Sequence, residues 1–451
     1  MDTAAQQPQQ PATVGRMMKK MQRRMEMAEI KAFRGLRFDQ EKAGEIERLV
    51  CPPYDIISEQ QRQAYLTENE NNIIRLELPK GDEPYKTAGK TLKDWLEKGV
   101  LKRDSKPAVY IYEEEFTVDG VTRSFKGCIV RVKLEEFSKG IVLPHEETLS
   151  KAKEDRFNLM KATNCNFSQI YSLYMDSEHE ITAKLDKLSM CKPENELTDG
   201  EGVIHRLWIV TDEAEISAIS SAFADKKLYI ADGHHRYETA LNYRNYCREN
   251  GIGDGAEDYV MMMLVDMEQP GLLVLPTHRI VRGLKGFDSA KAMEKCAEFF
   301  DIENISDTAE MSVCIGEKYN SGKKSFAYYD GGNGFKLLTL KDEQAVEKLL
   351  PDKSAAYCGL DVSVLHTLVL ERIFGIDSDN MARQINLTYV KKADDALNAV
   401  DEGNAQCAFI LNPTKVTQIR DVASAGEKMP QKSTYFYPKL ITGLVMNQID
   451  K

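Results

Sequence analysis

The sequence predicts an α/β (α+β) protein with separate N-terminal and C-terminal domains. Three observations support this class: the chain has 451 residues, strand-like and helix-like patterns are mixed along it, and its composition changes after Gly286. A chain of this length is too long for one simple core, so we expect two or three domains. We place an α/β domain at residues 30–285 and an α+β domain at residues 286–451.

Residues 1–29 are expected to lie outside both domains. They begin with the polar, low-complexity stretch MDTAAQQPQQPATVG, and the basic, Met-rich RMMKKMQRRMEM follows. This composition is typical of a disordered tail, and an extension upstream of a true start near Met27 explains it as well. A basic helical arm for nucleic acid is the alternative. A secretory signal is not expected, because no uninterrupted apolar core follows the basic residues.

The N-terminal part contains one loop, one helix and one hairpin signal, in that order. Residues 49–58, LVCPPYDIIS, include Pro-Pro and are expected to be extended loop. Residues 91–101, TLKDWLEKGVL, predict a short amphipathic helix that ends at Gly99. Residues 108–134 predict two strands around Asp119-Gly120, because Asp-Gly between apolar runs is a strong hairpin signal.

A GKT triplet at Gly89, Lys90 and Thr91 invites a P-loop interpretation, which we reject. A P-loop needs a further glycine five residues before the second one, because its backbone amides wrap a phosphate. Pro84 occupies that position and has no N–H to donate. We expect the triplet to be the start of the helix at Thr91.

The rest of the chain continues the mixture of strands and helices. We predict strands at residues 203–210, 259–267 and 272–281, a helix at 287–300, a hairpin at 324–340, helical periodicity at 361–375 and a loop-like segment at 426–445. The glycines of DGGNG mark the turn of the hairpin.

Composition and charge limit the possible partners and location. The formal net charge of -11 argues against broad, sequence-independent binding to DNA or RNA, which needs a basic surface. The longest apolar runs are far too short for a membrane span. The 9 cysteines are scattered without a C-x-x-C pair, which is typical of reduced thiols in a cytoplasmic protein. We therefore expect no nucleic-acid or membrane partner, and the oligomeric state stays open.

The stretch LYIADGHHRYETAL, residues 228–241, predicts a strand that turns into a helix at an anion site. A β-like run reaches Asp232, which can cap the helix that follows. The glycine lets a ligand approach the backbone, and the first helical turn offers unpaired N–H groups. His234, His235 and Arg236 add donors. Because adjacent helical side chains point about 100° apart, we expect one histidine to face the ligand and the other to support it.

Phosphate is the natural ligand of such a site. Asp232 would repel a bare phosphate, and a Mg²⁺ ion between the two removes that conflict. A capped helix with solvent-exposed histidines is the purely structural alternative. Zinc is not expected, because no further Cys or His residues at suitable spacing accompany the two histidines.

A second candidate segment is LPHEETLSKAKEDRFNLMKAT, residues 143–163. His145, Glu146 and Glu147 are expected in a loop before a helix that Thr148 caps. A carboxylate at such a junction can act as a general base on a substrate hydroxyl. An acidic first turn that complements the helix dipole explains the same residues without any catalytic role.

A third candidate segment is MPQKSTYFYPKL, near the C-terminus. Lys432, Ser433 and Thr434 lie with three aromatic residues between two prolines, and a lysine with two hydroxyls suits a carboxylate or phosphate. A surface loop explains the polar residues equally well. His278 and Arg279 in LPTHRIV are expected to be either a buried pair bonded to backbone carbonyls or a ligand contact.

These segments, in this order, resemble the long bacterial family known as domain of unknown function 1015. The resemblance rests on CPPYDIIS, LPHEETLSKAKEDR, YIADGHHRYETA, LPTHRIV, DVSVLH and MPQKSTYFYPKLITGLV. It extends from about Ile30 to the C-terminus, and DGHHR together with MPQKST is its most specific part.

The family is similar in turn to shorter free L-serine kinases, which use ADP in archaea and ATP in bacteria to make O-phosphoserine. Those kinases resemble the ParB and sulfiredoxin fold, in which a strand, a turn and a helix cradle nucleotide phosphates. The resemblance therefore implies a ParB/sulfiredoxin-like mixed-sheet core, followed by a second α+β domain that completes the substrate site.

The DGHHR element of the kinases corresponds to Asp232, Gly233, His234, His235 and Arg236. The resemblance implies that the glycine, the two histidines and the arginine hold the donor phosphates. We expect Asp232 to take part in catalysis, where it would either hold Mg²⁺ or orient the acceptor.

The catalytic glutamate of the kinases, in a Pro-His-Glu context, matches Glu146. Their C-terminal Pro-Lys-Thr-Thr, associated with the amino-acid substrate, is similar to residues 431–434, although the proline has shifted to Pro430 and Ser433 replaces a threonine. Lys432, Ser433 and Thr434 are thus the expected substrate-binding residues.

The expected function is transfer of a phosphoryl group from ADP or ATP to the hydroxyl of a small metabolite, in a cleft between the domains. Free L-serine is the best single candidate for the acceptor. The short kinases have nothing that aligns with the region before about Ala108, so the acceptor pocket can differ. The alternatives are a ParB-like nucleotide-binding regulatory protein without kinase activity and a scaffold with an inactive site.

Overall fold

The computed structural model describes residues 27–148, 150–332 and 334–449. Most of the extension predicted at residues 1–29 therefore lies outside the described residues. Within the described ranges the chain forms two compact units. Unit 1 comprises residues 27–143, 150–270 and 440–449, and unit 2 comprises residues 144–148, 271–332 and 334–439.

Helices occur throughout both units. Those of unit 1 are Gln40–Ala43, Glu59–Glu68, Ile74–Glu77, Pro84–Lys98, Ser150–Thr163, Glu180–Leu188, Glu213–Ala222 and His234–Asn250, with 3₁₀ turns at Ile46–Arg48, Tyr54–Ile56, Phe137–Lys139 and Ala256–Asp258. Those of unit 2 are Ser289–Cys296, Thr308–Asn320, Ala345–Leu349, Ala355–Cys358, Asp361–Val364, Ser378–Arg383, Ala393–Asp401 and Val416–Ser424, with a π-helical turn at Leu365–Glu371. Of the helices within the described ranges, none has the length and apolar character that crossing a bilayer requires.

Unit 1 is organised around a mixed sheet of nine strands among the described residues. Its path is Val142–Leu143, Leu228–Asp232, Ile170–Tyr174, Tyr259–Asp266, Val121–Lys133, Val109–Val118, Ile204–Val210 and Asn195–Thr198, and Ile30–Lys31 pairs with Val121–Lys133. The strand Tyr259–Asp266 is buried along its whole length, as its apolar sequence predicts. It runs parallel to Ile170–Tyr174 and antiparallel to Val121–Lys133.

The predicted hairpin at residues 108–134 is confirmed. Its strands are Val109–Val118 and Val121–Lys133, paired from Val118 opposite Val121. Asp119 and Gly120 both have positive φ, at 52° and 73°. This is the two-residue turn whose twist matches that of the flanking strands.

Shorter strand pairs join distant parts of the chain within unit 1. Leu36–Phe38 pairs with Leu101–Arg103, and Cys165–Asn166 pairs with Asn447–Gln448. Isolated bridges link Cys51 with Thr442 and Leu36 with Met446. The region before Ala108 is thus integrated into unit 1 and is held to the last residues of the chain.

Unit 2 contains an antiparallel sheet. Its order is Phe300–Ile305, Phe335–Leu340, Ser325–Tyr329, Cys407–Leu411, His278–Val281 and Leu387–Val390. The predicted hairpin at 324–340 forms two of these strands, and the predicted helix at 287–300 is the helix Ser289–Cys296. A separate pair joins Leu273–Leu275 to Tyr435–Tyr437. The strand predicted at 272–281 is therefore two strands, broken at Pro276 and Thr277.

The two sheets confirm the predicted α/β (α+β) class. The observed units differ from a division at residue 285. The main boundary between the units follows residue 270. In addition, residues 144–148 group with unit 2, and residues 440–449 group with unit 1. Such exchanges depend on tertiary pairing, which a change in composition along the chain does not report. All 9 cysteines lie among the described residues, and none forms a disulfide.

The helix predicted to start at Thr91 starts earlier. It spans Pro84–Lys98 and ends at Gly99, so the GKT triplet lies inside the helix and not at its start. Proline is favoured at the first helical position, because its fixed φ suits the helix and its missing N–H would be unpaired there anyway. The residue that rules out a P-loop at this site is thus also the one that begins the helix.

Gly89 lies where the helix Pro84–Lys98 contacts the helix Ser150–Thr163. A Cβ at Gly89 would lie 2.6 Å from the carbonyl oxygen of Ala162. We expect Gly89→Ala to destabilise the protein by about 1–3 kcal/mol through this overlap, although alanine is the better helix former. Thermal unfolding of the variant and the wild type measures the effect.

Gly316→Ala is the matched control. Gly316 lies inside the helix Thr308–Asn320, and a Cβ there would meet nothing within 4 Å. This variant should be as stable as the wild type or up to about 1 kcal/mol more stable. Equal changes in the two variants would contradict the packing explanation.

Candidate functional site

The DGHHR element forms a strand, a single left-handed residue and a helix. The strand Leu228–Asp232 lies inside the sheet of unit 1, between Ile170–Tyr174 and Val142–Leu143. Gly233 follows as the N-cap with φ 94° and ψ 27°, and the helix His234–Asn250 begins directly after it. The turn needs glycine because side chains strongly disfavour this conformation. The first N–H groups of the helix are thereby presented at the end of a buried strand.

Arg236 connects the strand to the helix through its guanidinium group. Nη2 donates to Oδ2 of Asp232 at 2.6 Å, and Nη1 donates to the carbonyl oxygen of Gln169 at 2.5 Å. A Cβ on Gly233 would lie 2.9 Å from Nε of Arg236, so the guanidinium packs directly over the glycine. The positive charge of Arg236 offsets the carboxylate of Asp232, which reduces the repulsion that Asp232 would exert on an anion.

The two histidines occupy different environments, as their helical separation predicts. His234 is buried, with 2% of its surface exposed, whereas His235 is half-buried. Of the side chains in the described ranges, no three or more His, Cys, Asp or Glu residues form a group suited to a metal ion. Asp232 is the carboxylate at this turn, so a Mg²⁺ ion held here would take its other ligands from a nucleotide and water.

The Pro-His-Glu segment and the Lys-Ser-Thr segment contact each other within unit 2. Nε2 of His145 lies 3.0 Å from Oγ1 of Thr434, and the carbonyl oxygen of His145 accepts a hydrogen bond from the N–H of Met429 at 2.8 Å. Glu147 and Lys428 form an ion pair at 3.0 Å. Two of the three segments singled out in the sequence are thus adjacent in space. Glu146, half-buried, lies between residues that are both anchored to the C-terminal segment.

The turn that carries Lys432 has a left-handed residue at its centre. Lys432 has φ 57° and its side chain is exposed. Ser433 is buried, its hydroxyl donates to the carbonyl oxygen of Pro430 at 2.5 Å, and its own carbonyl accepts from Oγ1 of Thr414 at 2.7 Å. The hydroxyl of Ser433 therefore stabilises the turn, while Lys432 and Thr434 present their polar groups around it.

Arg279 supports this turn from inside unit 2. Its side chain is buried, and Nη2 donates to the carbonyl oxygens of Lys432 at 3.1 Å and Gln431 at 3.4 Å. Burial lowers the pKa of Arg279 to about 10. Burial, and secondarily the charge of Arg279, lowers the pKa of the adjacent His278 to about 4. Of the two predictions for this pair, the structure supports the buried arginine bonded to backbone carbonyls.

Two residues that hold the candidate groups were not identified from the sequence: Gln169 and Thr414. Gln169 contacts Arg236 through its backbone carbonyl, and a backbone contact leaves no requirement for a particular side chain. Thr414 acts through its hydroxyl, but no pattern in the sequence connects it with Ser433. The segments themselves were identified, whereas the contacts that hold them were not.

Several solved structures are similar to this chain over most of their length, at low identity. A conserved hypothetical protein from Pyrococcus furiosus has 14% identity and a TM-score of 0.31, with 69% of this chain and 90% of that chain covered. A free serine kinase in complex with AMP has 12% identity and a TM-score of 0.34, with 72% and 91% covered. SbnI with a C-terminal truncation, from Staphylococcus aureus, has 10% identity and a TM-score of 0.36, with 71% and 87% covered.

At these scores the structural likeness carries no conclusion about the activity of this chain. No curated protein matches the chain. A family model does match, over residues 30–363, which is most of the chain. The match agrees with the resemblance over the first four of the six sequence segments and the start of DVSVLH, whereas MPQKSTYFYPKLITGLV lies beyond the matched residues. The chain therefore belongs to the family described as "Protein of unknown function (DUF1015)".

Proposed function

We propose that this protein is a phosphotransferase that moves a phosphoryl group from ADP or ATP to the hydroxyl of a small metabolite. Free L-serine, giving O-phosphoserine, is the acceptor that the resemblance to the free serine kinases favours. The observation that carries the proposal is the strand–Gly233–helix turn closed by Arg236. It combines the N-terminal turn of a helix with a guanidinium, which is the chemistry that binds phosphate oxygens.

The donor phosphates would be held by the start of the helix His234–Asn250. The N–H groups of its first turn, together with His235 and Arg236, supply donors, and the helix dipole favours negative charge there. His234 is buried and would support the turn from inside. A Mg²⁺ ion bound with the nucleotide would neutralise phosphate charge, and Asp232 would hold it.

The acceptor would be held by unit 2. Lys432 and Thr434 would bind its carboxylate, on a turn that Ser433 and Arg279 stabilise. Glu146 would act as the general base, because its two neighbours are anchored to the same C-terminal segment. A base held beside the acceptor can take a hydroxyl proton without first being ordered by the substrate.

The reaction balances without an oxidant or reductant. The acceptor oxygen forms a bond to the terminal phosphorus of the donor, and the bond from that phosphorus to the bridging oxygen breaks. The hydroxyl proton moves to Glu146, and AMP leaves from ADP, or ADP from ATP. Such transfers depend mainly on positioning and charge neutralisation, which are the two properties that the turn and the base would provide.

A donor and acceptor screen tests the proposal. The purified protein is incubated with Mg²⁺, either ADP or ATP, and L-serine, L-threonine or L-homoserine, and phosphorus NMR detects a new phosphomonoester. We expect a product with at least one donor–acceptor pair. Tight nucleotide binding with no product from any pair would favour the ParB-like regulatory alternative.

Glu146→Gln separates catalysis from binding. We expect the rate constant kcat to fall by about 10²–10⁴-fold, since a general base contributes a factor of this size, while the Kd for ADP changes little. Glu147→Gln is the matched control, because Glu147 is the exposed neighbour paired with Lys428. Near-normal turnover of Glu146→Gln, or equal losses in both variants, would rule out Glu146 as the base.

Gly233→Ala tests the phosphate turn. Gly233 and Gly251 flank the helix His234–Asn250, and both have left-handed backbone conformation. Alanine should destabilise the protein by about 1–2 kcal/mol at either position. Only at Gly233 would the new methyl group displace Arg236, since a Cβ on Gly251 meets nothing within 4 Å. Calorimetry with ADP should therefore show weakened binding for Gly233→Ala and unchanged binding for Gly251→Ala; equal affinities would contradict the assignment.

A further inference from the structure

The region before Ala108 has no counterpart that we can align in the short kinases, yet two of its residues, Tyr54 and Glu77, take part in a set of contacts that leads to the DGHHR element. Unit 1 contains a cluster of the half-buried Tyr54 with the buried Glu77 and Arg156. Tyr54 belongs to the CPPYDIIS segment, Glu77 ends the helix Ile74–Glu77, and Arg156 lies in the helix Ser150–Thr163. The contacts of this cluster lead, residue by residue, to Arg236.

The cluster is built around the guanidinium of Arg156. The guanidinium carbon lies 4.1 Å from the centre of the Tyr54 ring, and Nη1 donates to the carbonyl oxygen of Glu77 at 2.6 Å. Nη1 also lies 4.0 Å from Oε1 of Glu77. Glu77 and Arg156 are 2% and 5% exposed, so neither side chain reaches bulk solvent. The cluster therefore holds the backbone of Glu77 and places a positive charge 4.0 Å from its carboxylate.

The carboxylate of Glu77 binds the segment that contacts Arg236. Oγ of Ser168 donates to Oε1 of Glu77 at 2.9 Å. The next residue, Gln169, accepts the hydrogen bond from Nη1 of Arg236 on its backbone carbonyl. The side-chain amide of Gln169 donates to the carbonyl oxygen of Ile441 at 3.1 Å. Residues 168 and 169 are both buried and are thus held by hydrogen bonds on two sides.

A small cavity lies behind these groups, lined among others by Glu77, Arg156, Ser168 and Arg236. Burial raises the pKa of Glu77, and the charges of Arg156 and Arg236 oppose that effect. Arg236 therefore interacts electrostatically with Glu77. The hydrogen bonds that connect the two residues run through Ser168 and Gln169. Removal of the carboxylate would enlarge the cavity and leave the hydroxyl of Ser168 buried without its acceptor.

We propose that Glu77 is a positioning residue for Arg236. By accepting the hydrogen bond of Ser168, it holds the carbonyl of Gln169 where it orients one edge of the guanidinium, while Asp232 orients another. The remaining N–H groups of the guanidinium are then directed before a ligand arrives, which lowers the entropy lost on binding. This inference rests on the proposed function only in taking a nucleotide phosphate as the ligand of Arg236. It gives the region before Ala108 a role in the phosphate site.

A double-mutant cycle tests the proposal. Glu77→Ala, Ser168→Ala and the double variant are compared with the wild type by calorimetric titration with ADP and by the split between kcat and KM. We expect each single variant to raise the Kd and the KM for the nucleotide about tenfold, with a smaller change in kcat. The double variant should be no worse than the worse single variant, because both remove the same hydrogen bond. Independent, multiplying losses would overturn the proposal.

Two further variants separate positioning from general stability and from charge. Glu77→Gln keeps an acceptor for the hydroxyl of Ser168, so its Kd for ADP should stay within about threefold of the wild-type value. Glu77→Ala removes that acceptor and should not keep the wild-type Kd. Ser189→Ala removes an equally buried serine hydroxyl that donates to Leu185 elsewhere in unit 1. It should leave the Kd for ADP unchanged. A Glu77→Gln variant as weak as Glu77→Ala would overturn the proposal, because the charge would then be the active property.

A crystal structure of Ser168→Ala distinguishes failure of this inference from failure of the proposed function. If the wild type binds no ADP, the proposed function fails, and the position of Arg236 in the variant still decides the inference. We expect Nη1 of Arg236 to have left the carbonyl oxygen of Gln169. If the 2.5 Å contact is unchanged, Glu77 does not position Arg236.

Discussion

The ion pair between Asp232 and Arg236 is the interaction on which the candidate phosphate site depends. The carboxylate of Asp232 lies one residue before the turn that starts the helix, and it would repel an anion bound there. The guanidinium of Arg236 offsets this repulsion, because it pairs with the carboxylate and still has donors for an anion. Gly233 makes the pair possible, since a Cβ at that residue would occupy the place where the guanidinium packs. The pair, the turn and the helix start therefore form one inseparable arrangement.

A comparable dependence on a few backbone contacts holds in unit 2. The segment with Glu146 groups with unit 2, although the chain before and after it belongs to unit 1. The contacts of His145 with Met429 and Thr434 attach the segment to unit 2. The turn at Lys432 is attached in the same way by Arg279. In both places a buried side chain or backbone group holds the position, and a neighbouring residue carries the proposed chemistry.

Local signals in the sequence were sufficient for much of the fold. The Asp119-Gly120 turn and the apolar run of Tyr259–Asp266 each specify one structure, and both formed as predicted. The start of the helix Pro84–Lys98 was predicted too late in the sequence, because its first turn is polar and carries no apolar periodicity. The candidate site residues could be named because a motif is defined by the identity of its side chains, which the sequence shows directly.

The contacts that hold the site residues could not be predicted in the same way. The carbonyl of Gln169 is available to any residue type, so its bond to Arg236 leaves no trace in the sequence. Glu77 is a residue type that is usually exposed, so the sequence gives no sign that its side chain is buried. The bridge between Cys51 and Thr442 joins nearly opposite ends of the chain, and only the folded structure brings them together. What remained hidden was therefore long-range backbone pairing.

The exchange of residues 144–148 and 440–449 between the units has a consequence for the modularity of the chain. A single cut near residue 270 would yield one fragment that keeps Glu146 but lacks Thr434 and Met429, and another that keeps the last strand without its partner Cys165–Asn166. Neither fragment would have a complete set of its own contacts. Recombination with another protein at a single junction near residue 270 would therefore disrupt both units.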